Sequence, residues 1–238
     1  VGMVSEFYTW HNYLKYYWMH FRDIRFDVRR VCEIGVQTDR SIRMWEEFFP
    51  NATIYGIDID ANCRQYEGGR RKIFIGDQTD ADFLESFLDS IDGALDIVID
   101  DGSHRARDQL FTFDFLFPRL SDHGVYVVED VSIGRNVDEA VETLKTLINH
   151  IMYWPPGVSP KDWPSLWTFP ERASWADRNI IGLAFYRFIV FAFRGRNPED
   201  NPYLRPKNKV AGVSVRSRGS PEPTGNSQRE ITDADSAG

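Results

Sequence analysis

The stretch VRRVCEIGVQTDRSIRMWEEFFPNATIYGIDI, residues 28–59, contains two short apolar runs with an amphipathic segment between them. The runs at 28–36 and 53–59 are rich in β-branched residues and are typical of buried strands. Residues 41–49 carry apolar side chains at helical spacing and predict a helix. A strand, a helix and a second strand in this order predict a parallel βαβ unit.

The same alternation continues along the chain. Further strands are expected at 71–77, 95–101 and 124–131, and further helices at 80–91, 105–120 and 138–152. Residues 180–195 are typical of two strands that form a hairpin at a sheet edge. The pattern therefore predicts a single α/β domain with a doubly wound, Rossmann-like fold, whose mostly parallel sheet ends in an antiparallel C-terminal hairpin.

Three segments differ in composition from this main domain, which we expect to span 28–196. Residues 1–27 are rich in aromatic residues and predict helical structure. The Pro- and Trp-rich stretch 153–175 cannot form a regular helix or a central strand, and its length predicts a lid or a substrate wall. Apolar content falls from 197 to 238, which predicts a disordered tail.

The bulk composition excludes several classes of partner. With 28 basic and 36 acidic residues the formal charge is −8, which argues against nucleic acid. No run approaches the roughly 20 apolar residues needed to span a membrane, and the first residues lack a signal-peptide pattern. Cys32 and Cys63 form neither a CxxC motif nor a zinc spacing. A cytoplasmic location without a membrane partner is therefore the expectation.

The end of every predicted parallel strand carries at least one acidic residue. Ligands of open parallel sheets bind beyond the carboxyl ends of the strands, so these residues are candidates for a site. So many carboxylates at one edge would repel one another unless a cation or a ligand rich in hydrogen-bond donors lay among them. The seven acids are Glu33, Asp58, Asp77, Asp100, Asp101, Glu129 and Asp130.

The first loop, EIGVQTDRS at 33–41, lacks the G-x-G-x-x-G pattern of a dinucleotide site. S-adenosylmethionine has no phosphate, and it needs a close backbone approach together with carboxylates for its ammonium and ribose groups. Gly35 and Glu33 suit that need. Asp58 follows Glu33 by 25 positions, which is about where an acid binds ribose hydroxyls in such folds.

The motifs DIVIDDGSH (96–104) and VYVVEDV (125–131) predict a metal site. Adjacent strands would bring Asp101, Glu129 and Asp130 together, and oxygen ligands of this kind suit Mg²⁺ rather than zinc. His104 would lie beside the metal. A histidine there is suited to take a proton from a hydroxyl that the metal polarises.

At these motifs the chain resembles the class I, metal-dependent sugar O-methyltransferases of macrolide and aromatic-polyketide antibiotic biosynthesis. The resemblance covers about residues 8–197, and its most specific phrases are DIVIDDGSH and YVVEDV. It extends to residues of the N-terminal segment and of the helix after His104. These residues are His11, Tyr13, Tyr17, His20, Phe21, Gln109 and Phe113.

The resemblance implies S-adenosylmethionine and Mg²⁺ as cofactors, with His104 as general base. It implies a metal site of Asp101, Glu129 and Asp130. It also implies a cofactor site that comprises Glu33, Gly35, Ser41, Asp58, Asp77 and Gln78.

Three functions stay open. The first is methylation of a rhamnosyl-like sugar hydroxyl on a small-molecule glycoside, by an enzyme that could form homo-oligomers. The second is methylation of another metal-chelating acceptor, such as a catechol. The third is a non-catalytic cofactor binder. The sequence argument for it is a departure from the family, which often has two glycines where this chain has Asp39 and Arg40.

Overall fold

The computed structural model describes residues 12–131, 139–152 and 174–196. The predicted tail at 197–238, most of the predicted lid and the first 11 residues lie outside these ranges. Helices and strands are numbered here in chain order. The helices are α1 (Leu14–Phe21), α2 (Asp39–Phe48), α3 (Ala81–Ser90), α4 (Ala106–Leu116), α5 (Glu139–Thr146), α6 (Ile148–Ile151) and α7 (Trp175–Asn179). The strands are β1 (Arg30–Ile34), β2 (Thr53–Asp58), β3 (Arg71–Ile75), β4 (Ile97–Asp100), β5 (Val125–Val128), β6 (Ile180–Tyr186) and β7 (Ile189–Arg194).

Seven strands of the described ranges form one sheet in the order β3-β2-β1-β4-β5-β7-β6. The first five in this order are parallel, and β7 pairs antiparallel with both β5 and β6. The predicted doubly wound sheet with an antiparallel C-terminal hairpin is thus confirmed. Its strand order reverses between β1 and β4, which is where open α/β sheets bind ligands.

The central strands are buried on both faces, which explains their nearly continuous apolar sequences. Side chains of α3, α4 and α5 pack on one face of the sheet, and side chains of α1 and α2 pack on the other. Helix α3 begins where the Asp80 carboxylate accepts hydrogen bonds from two backbone amides of the first turn.

Two predicted helices are shorter than expected. The segment predicted at 105–120 ends at Leu116 and continues as a 3-10 turn over Phe117–Arg119, where Pro118 cannot donate a backbone hydrogen bond. The segment predicted at 138–152 is divided into α5 and α6 at Leu147. Within the described ranges, no helix has the length and apolar content needed to cross a bilayer.

Backbone pairing extends past the strands and aligns the residues that follow them. The Asp101 amide donates to the carbonyl oxygen of Ile34 at 2.9 Å, and the Glu129 amide donates to that of Asp100 at 2.9 Å. The loops after β1, β4 and β5 therefore leave the sheet side by side, at its carboxyl edge.

Candidate active site

A cavity of about 450 Å³ opens at this edge, beyond the ends of β1, β2, β3 and β4. It lies at the point where the strand order reverses. Its walls carry six of the residues that sequence analysis selected, namely Gly35, Asp58, Asp77, Gln78, Asp101 and His104.

Gly35 permits the close contact between the first loop and the loop after β4. Its φ is +91°, a backbone conformation that residues with a side chain rarely adopt. A Cβ atom there would lie 2.1 Å from the carbonyl oxygen of Asp101 and 2.9 Å from the Cα of Gly102. The requirement for glycine thus comes from the neighbouring loop of the protein itself.

Glu33 lies beneath the first loop rather than in the wall of the cavity. Its carboxylate accepts hydrogen bonds from Ser41 Oγ at 3.0 Å and from Trp45 Nε1 at 2.9 Å. Burial raises the pKa of Glu33 to about 8, although both hydrogen bonds favour the ionised form. Glu33 and Ser41 therefore set the shape of the loop and the start of α2.

Asp58 and Asp77 carry carboxylates at the cavity wall. Asp58 accepts hydrogen bonds from the backbone amides of Gln37 and Asp60 at 2.9 and 2.8 Å. Asp77 accepts from the amide and the hydroxyl of Thr79, both at 2.8 Å, and these bonds lower its pKa. Both side chains are held in place while they remain accessible from the cavity.

The side-chain amide of Gln78 is bonded to the protein at both ends. Its Oε1 accepts from the backbone amide of Ser103 at 2.8 Å, and its Nε2 donates to Asp100 Oδ1 at 3.3 Å. Asp100 is fully buried and also accepts from Thr112 and Tyr126. Gln78 and Asp100 thus support the loop after β4, and Asp100 faces the interior rather than the open edge.

Asp101, His104 and Asp130 form a cluster in which one potential ligand atom of each lies within 4.8 Å of the others. His104 Nδ1 is 3.9 Å from Asp101 Oδ1, and His104 Nε2 is 3.9 Å from Asp130 Oδ2. The side chains of His104 and Asp101 are 43% and 34% exposed. His104 and Asp130 have φ values of +54° and +55°, strained conformations that are enriched at functional sites.

Glu129 precedes Asp130 in sequence and is buried, and its charge acts on Asp101. Its side chain accepts a hydrogen bond from Tyr17, and its carbonyl oxygen accepts one from Gln109 Nε2 at 2.9 Å. We refer to Asp101, Glu129 and Asp130 as the acid cluster. Two of the three predicted carboxylates, Asp101 and Asp130, are grouped with His104, whereas Glu129 is not a member of this group.

Electrostatic repulsion makes the acid cluster a suitable cation site. Burial raises the pKa of Asp101, and the negative charges of Glu129, Asp130 and Asp100 raise it further. Burial likewise raises the pKa of Glu129, against the hydrogen bond from Tyr17. A hard cation with a preference for oxygen ligands would offset this repulsion, so the residues present fit Mg²⁺.

Two tyrosines contact the acid cluster, Tyr13 immediately before α1 and Tyr17 within it, and neither was expected from the sequence to have a role at the site. The Tyr13 hydroxyl donates to Asp130 Oδ1 at 2.7 Å, and the Tyr17 hydroxyl donates to the carboxylate of Glu129. Both tyrosines are only 2% exposed. Their spacing of four residues places them on one helix face, and this spacing was the sequence feature from which a shared role could have been predicted.

Comparison with known proteins gives relatives over most of the chain. Mycinamicin VI 2''-O-methyltransferase of Micromonospora griseorubida is 36% identical over 79% of this chain and 49% of its own length. A tetracenomycin-pathway enzyme of Streptomyces olivaceus, 8-demethyl-8-alpha-L-rhamnosyl tetracenomycin-C 2'-O-methyltransferase, is 33% identical over 79% of this chain and 51% of its own length. The chain thus spans about half the length of these curated relatives. No protein-family model matches it.

A solved structure of MycE, a methyltransferase of the mycinamycin pathway, superimposes with a TM-score of 0.66 at 35% identity. The match covers 80% of this chain and 50% of MycE, which was solved with Mg, SAH and mycinamycin VI. The sheet order and the cavity at its reversal point, together with this match, define a class I methyltransferase fold. Over the region that it shares with them, the close homologues of this chain are sugar O-methyltransferases of macrolide and tetracenomycin pathways.

Proposed function

We propose that this chain is the methyltransferase part of an S-adenosylmethionine-dependent enzyme that methylates a sugar hydroxyl of a glycosylated natural product. The observation that carries the proposal is the cluster of Asp101, Asp130 and His104 at the wall of the cavity. A pair of carboxylates that could hold a metal ion, beside a partly exposed histidine, is suited to proton removal from a bound hydroxyl.

Residues of the cavity wall are suited to S-adenosylmethionine. The volume of about 450 Å³ lies in the range of about 300–1,000 Å³ found for small-molecule sites. Asp58 and Asp77 line this cavity, and we propose that Asp58 accepts hydrogen bonds from the ribose hydroxyls and that Asp77 lies near the adenine. Gly35 lines the first loop, while Glu33 and Ser41 would act from behind by holding that loop.

The acid cluster is the proposed holder of Mg²⁺. When bound, this ion would serve as Lewis acid and template for an acceptor hydroxyl. His104 is proposed as the general base because a neutral imidazole can accept a proton near neutral pH. Mg²⁺ prefers oxygen to imidazole nitrogen, which favours this role for His104 over a role as metal ligand.

The acceptor is proposed to be a glycoside with an apolar body. A second cavity of about 740 Å³ is lined by Val131, the neighbour of Asp130, and by apolar residues of α6 and the β6–β7 hairpin such as Ile148 and Leu183. An apolar aglycone fits this lining, and a catechol is too small to need it. The relatives named above are likewise enzymes of glycosylated natural products.

The non-catalytic alternative is weakened at the positions that suggested it. Asp39 forms an ion pair with Arg43 on α2, at 2.5 Å. Within the described part of the chain, neither Asp39 nor Arg40 lines the 450 Å³ cavity. The two side chains therefore do not narrow the proposed cofactor site.

Transfer of a labelled methyl group to a panel of rhamnosylated macrolides and tetracenomycins, with catechol as a comparison, tests the proposal. His104→Asn should lower kcat at least about 100-fold while leaving cofactor binding intact. His123→Asn is the matched control, because His123 is also exposed with a positive φ of +72° and Asn tolerates that conformation. Wild-type turnover by His104→Asn would refute the base, and transfer to catechol alone would refute the glycoside acceptor.

A further inference from the structure

The N-terminal helix α1 packs against β7 and contacts the acid cluster, although it is not one of the sheet strands or of the loops that follow them. Phe21 lies against Phe191 of β7, with ring centroids 5.9 Å apart. One helical turn earlier, Tyr17 lies 5.6 Å from the same ring. The helix thus brings two phenol groups to residues that follow β5, more than 110 positions away in sequence.

Packing determines where these two hydroxyls lie. The Tyr17 ring meets Trp45 edge-on at 4.8 Å, and Trp45 is itself hydrogen-bonded to Glu33. The Tyr13 hydroxyl lies 3.2 Å from the backbone carbonyl of Phe188, at the turn between β6 and β7. Both rings are therefore held in place by contacts within the protein.

Each phenol selects one oxygen of a carboxylate. Tyr13 donates to Oδ1 of Asp130, whereas Oδ2 of the same group is the oxygen that faces His104 at 3.9 Å. Tyr17 donates to Oε1 of Glu129. A hydrogen bond to one oxygen restrains rotation of the carboxylate and fixes the direction in which the other oxygen points.

We propose that Tyr13 and Tyr17 are positioning residues, which orient Asp130 and Glu129 for the divalent cation. This inference rests on the proposed function, because it assigns to the acid cluster the role of metal site. It gives α1 and the residue before it a role in the proposed metal site. Outer-shell partners of this kind typically change metal affinity by 10- to 100-fold.

The test is a titration of the purified chain with Mn²⁺ alone, followed by electron paramagnetic resonance, which measures a metal Kd without any methyl transfer. Tyr13→Phe and Tyr17→Phe should each raise the Kd about 10- to 100-fold. Tyr16→Phe is the matched control, because Tyr16 lies on the same helix as Tyr17 but stacks on Tyr186, with ring centroids 3.9 Å apart. The Mn²⁺ Kd of this variant should equal that of wild type. Methyl transfer lost in the two variants should return at high Mg²⁺ concentration.

Thermal melting of the metal-free proteins separates positioning from a purely structural role. If Tyr13→Phe and Tyr17→Phe lower the melting temperature but keep the wild-type Mn²⁺ Kd, the inference is overturned. Asp101→Asn tests the underlying metal site. Mn²⁺ binding that is lost in Asp101→Asn but unchanged in both tyrosine variants overturns the inference alone, whereas absence of binding in wild type overturns the proposed metal site as well.

Discussion

Replacement of Gly35 by alanine should damage both the stability and the activity of this domain. At a φ of +91° an alanine is strained by about 1–3 kcal/mol. Its Cβ would lie 2.1 Å from the Asp101 carbonyl oxygen, so the two loops must separate by roughly 0.9 Å to reach the 3.0 Å limit of real Cβ contacts. A displacement of about 1 Å at a catalytic group can lower the rate about 100-fold.

Two measurements on Gly35→Ala separate the strain from the displacement. Urea unfolding gives the loss of stability, and Mn²⁺ affinity with kcat/KM reports the position of Asp101. Gly68→Ala is the matched control, because Gly68 also has a positive φ of +151° but its added Cβ would meet nothing closer than 3.7 Å. The control should lose stability only. If Gly35→Ala binds Mn²⁺ and turns over like Gly68→Ala, the argument from the loop contact is refuted.

Three further predictions concern charge and burial. Burial raises the pKa of Glu33 from 4.5 to about 8, so between these pH values the folded state binds more protons than the unfolded state. The free energy of unfolding should therefore fall as pH rises from about 5 to 8, by at most about 5 kcal/mol. Urea midpoints measured in chelator check this, and a midpoint that rises with pH would contradict it. Asp101→Asn removes a carboxyl group whose ionisation is opposed by burial and by the neighbouring acids, so at alkaline pH without metal it should melt above wild type, and chelator should lower only the wild-type melting temperature. Thr112→Val removes a hydrogen bond to the buried carboxylate of Asp100 and should cost about 1.5–3 kcal/mol in urea unfolding, whereas an unchanged midpoint would mean that the remaining donors suffice.

Much of the fold could be predicted from local patterns. Five parallel strands and the C-terminal hairpin were expected from short apolar runs, because strands buried on both faces require continuous apolar sequence. The ends of helices were predicted less well. The break at Leu147 within 138–152 interrupts an apolar stripe of helical spacing that continues across it, so the sequence pattern carried no warning.

The candidate site could be predicted where acids follow strands, because the carboxyl ends of parallel strands share one edge. This reasoning selected Asp58, Asp77 and Asp101, which line the cavity. It could not distinguish Glu33 and Asp100, which turn inward to buried donors. Which way a side chain leaves the end of a strand depends on the loop that follows and on the donors that surround it.

The sequence by itself determined the alternation of strands and helices, the edge at which the acids gather, and the pairing of Asp101 with His104 within one loop. These features depend on neighbours within a few residues or on the common direction of parallel strands. Only the tertiary structure decided that Tyr13 and Tyr17 meet the acids after β5 and that Gly35 abuts Asp101. Contacts between residues so distant in the chain arise from packing across the sheet, and no local pattern encodes which side chains will meet there.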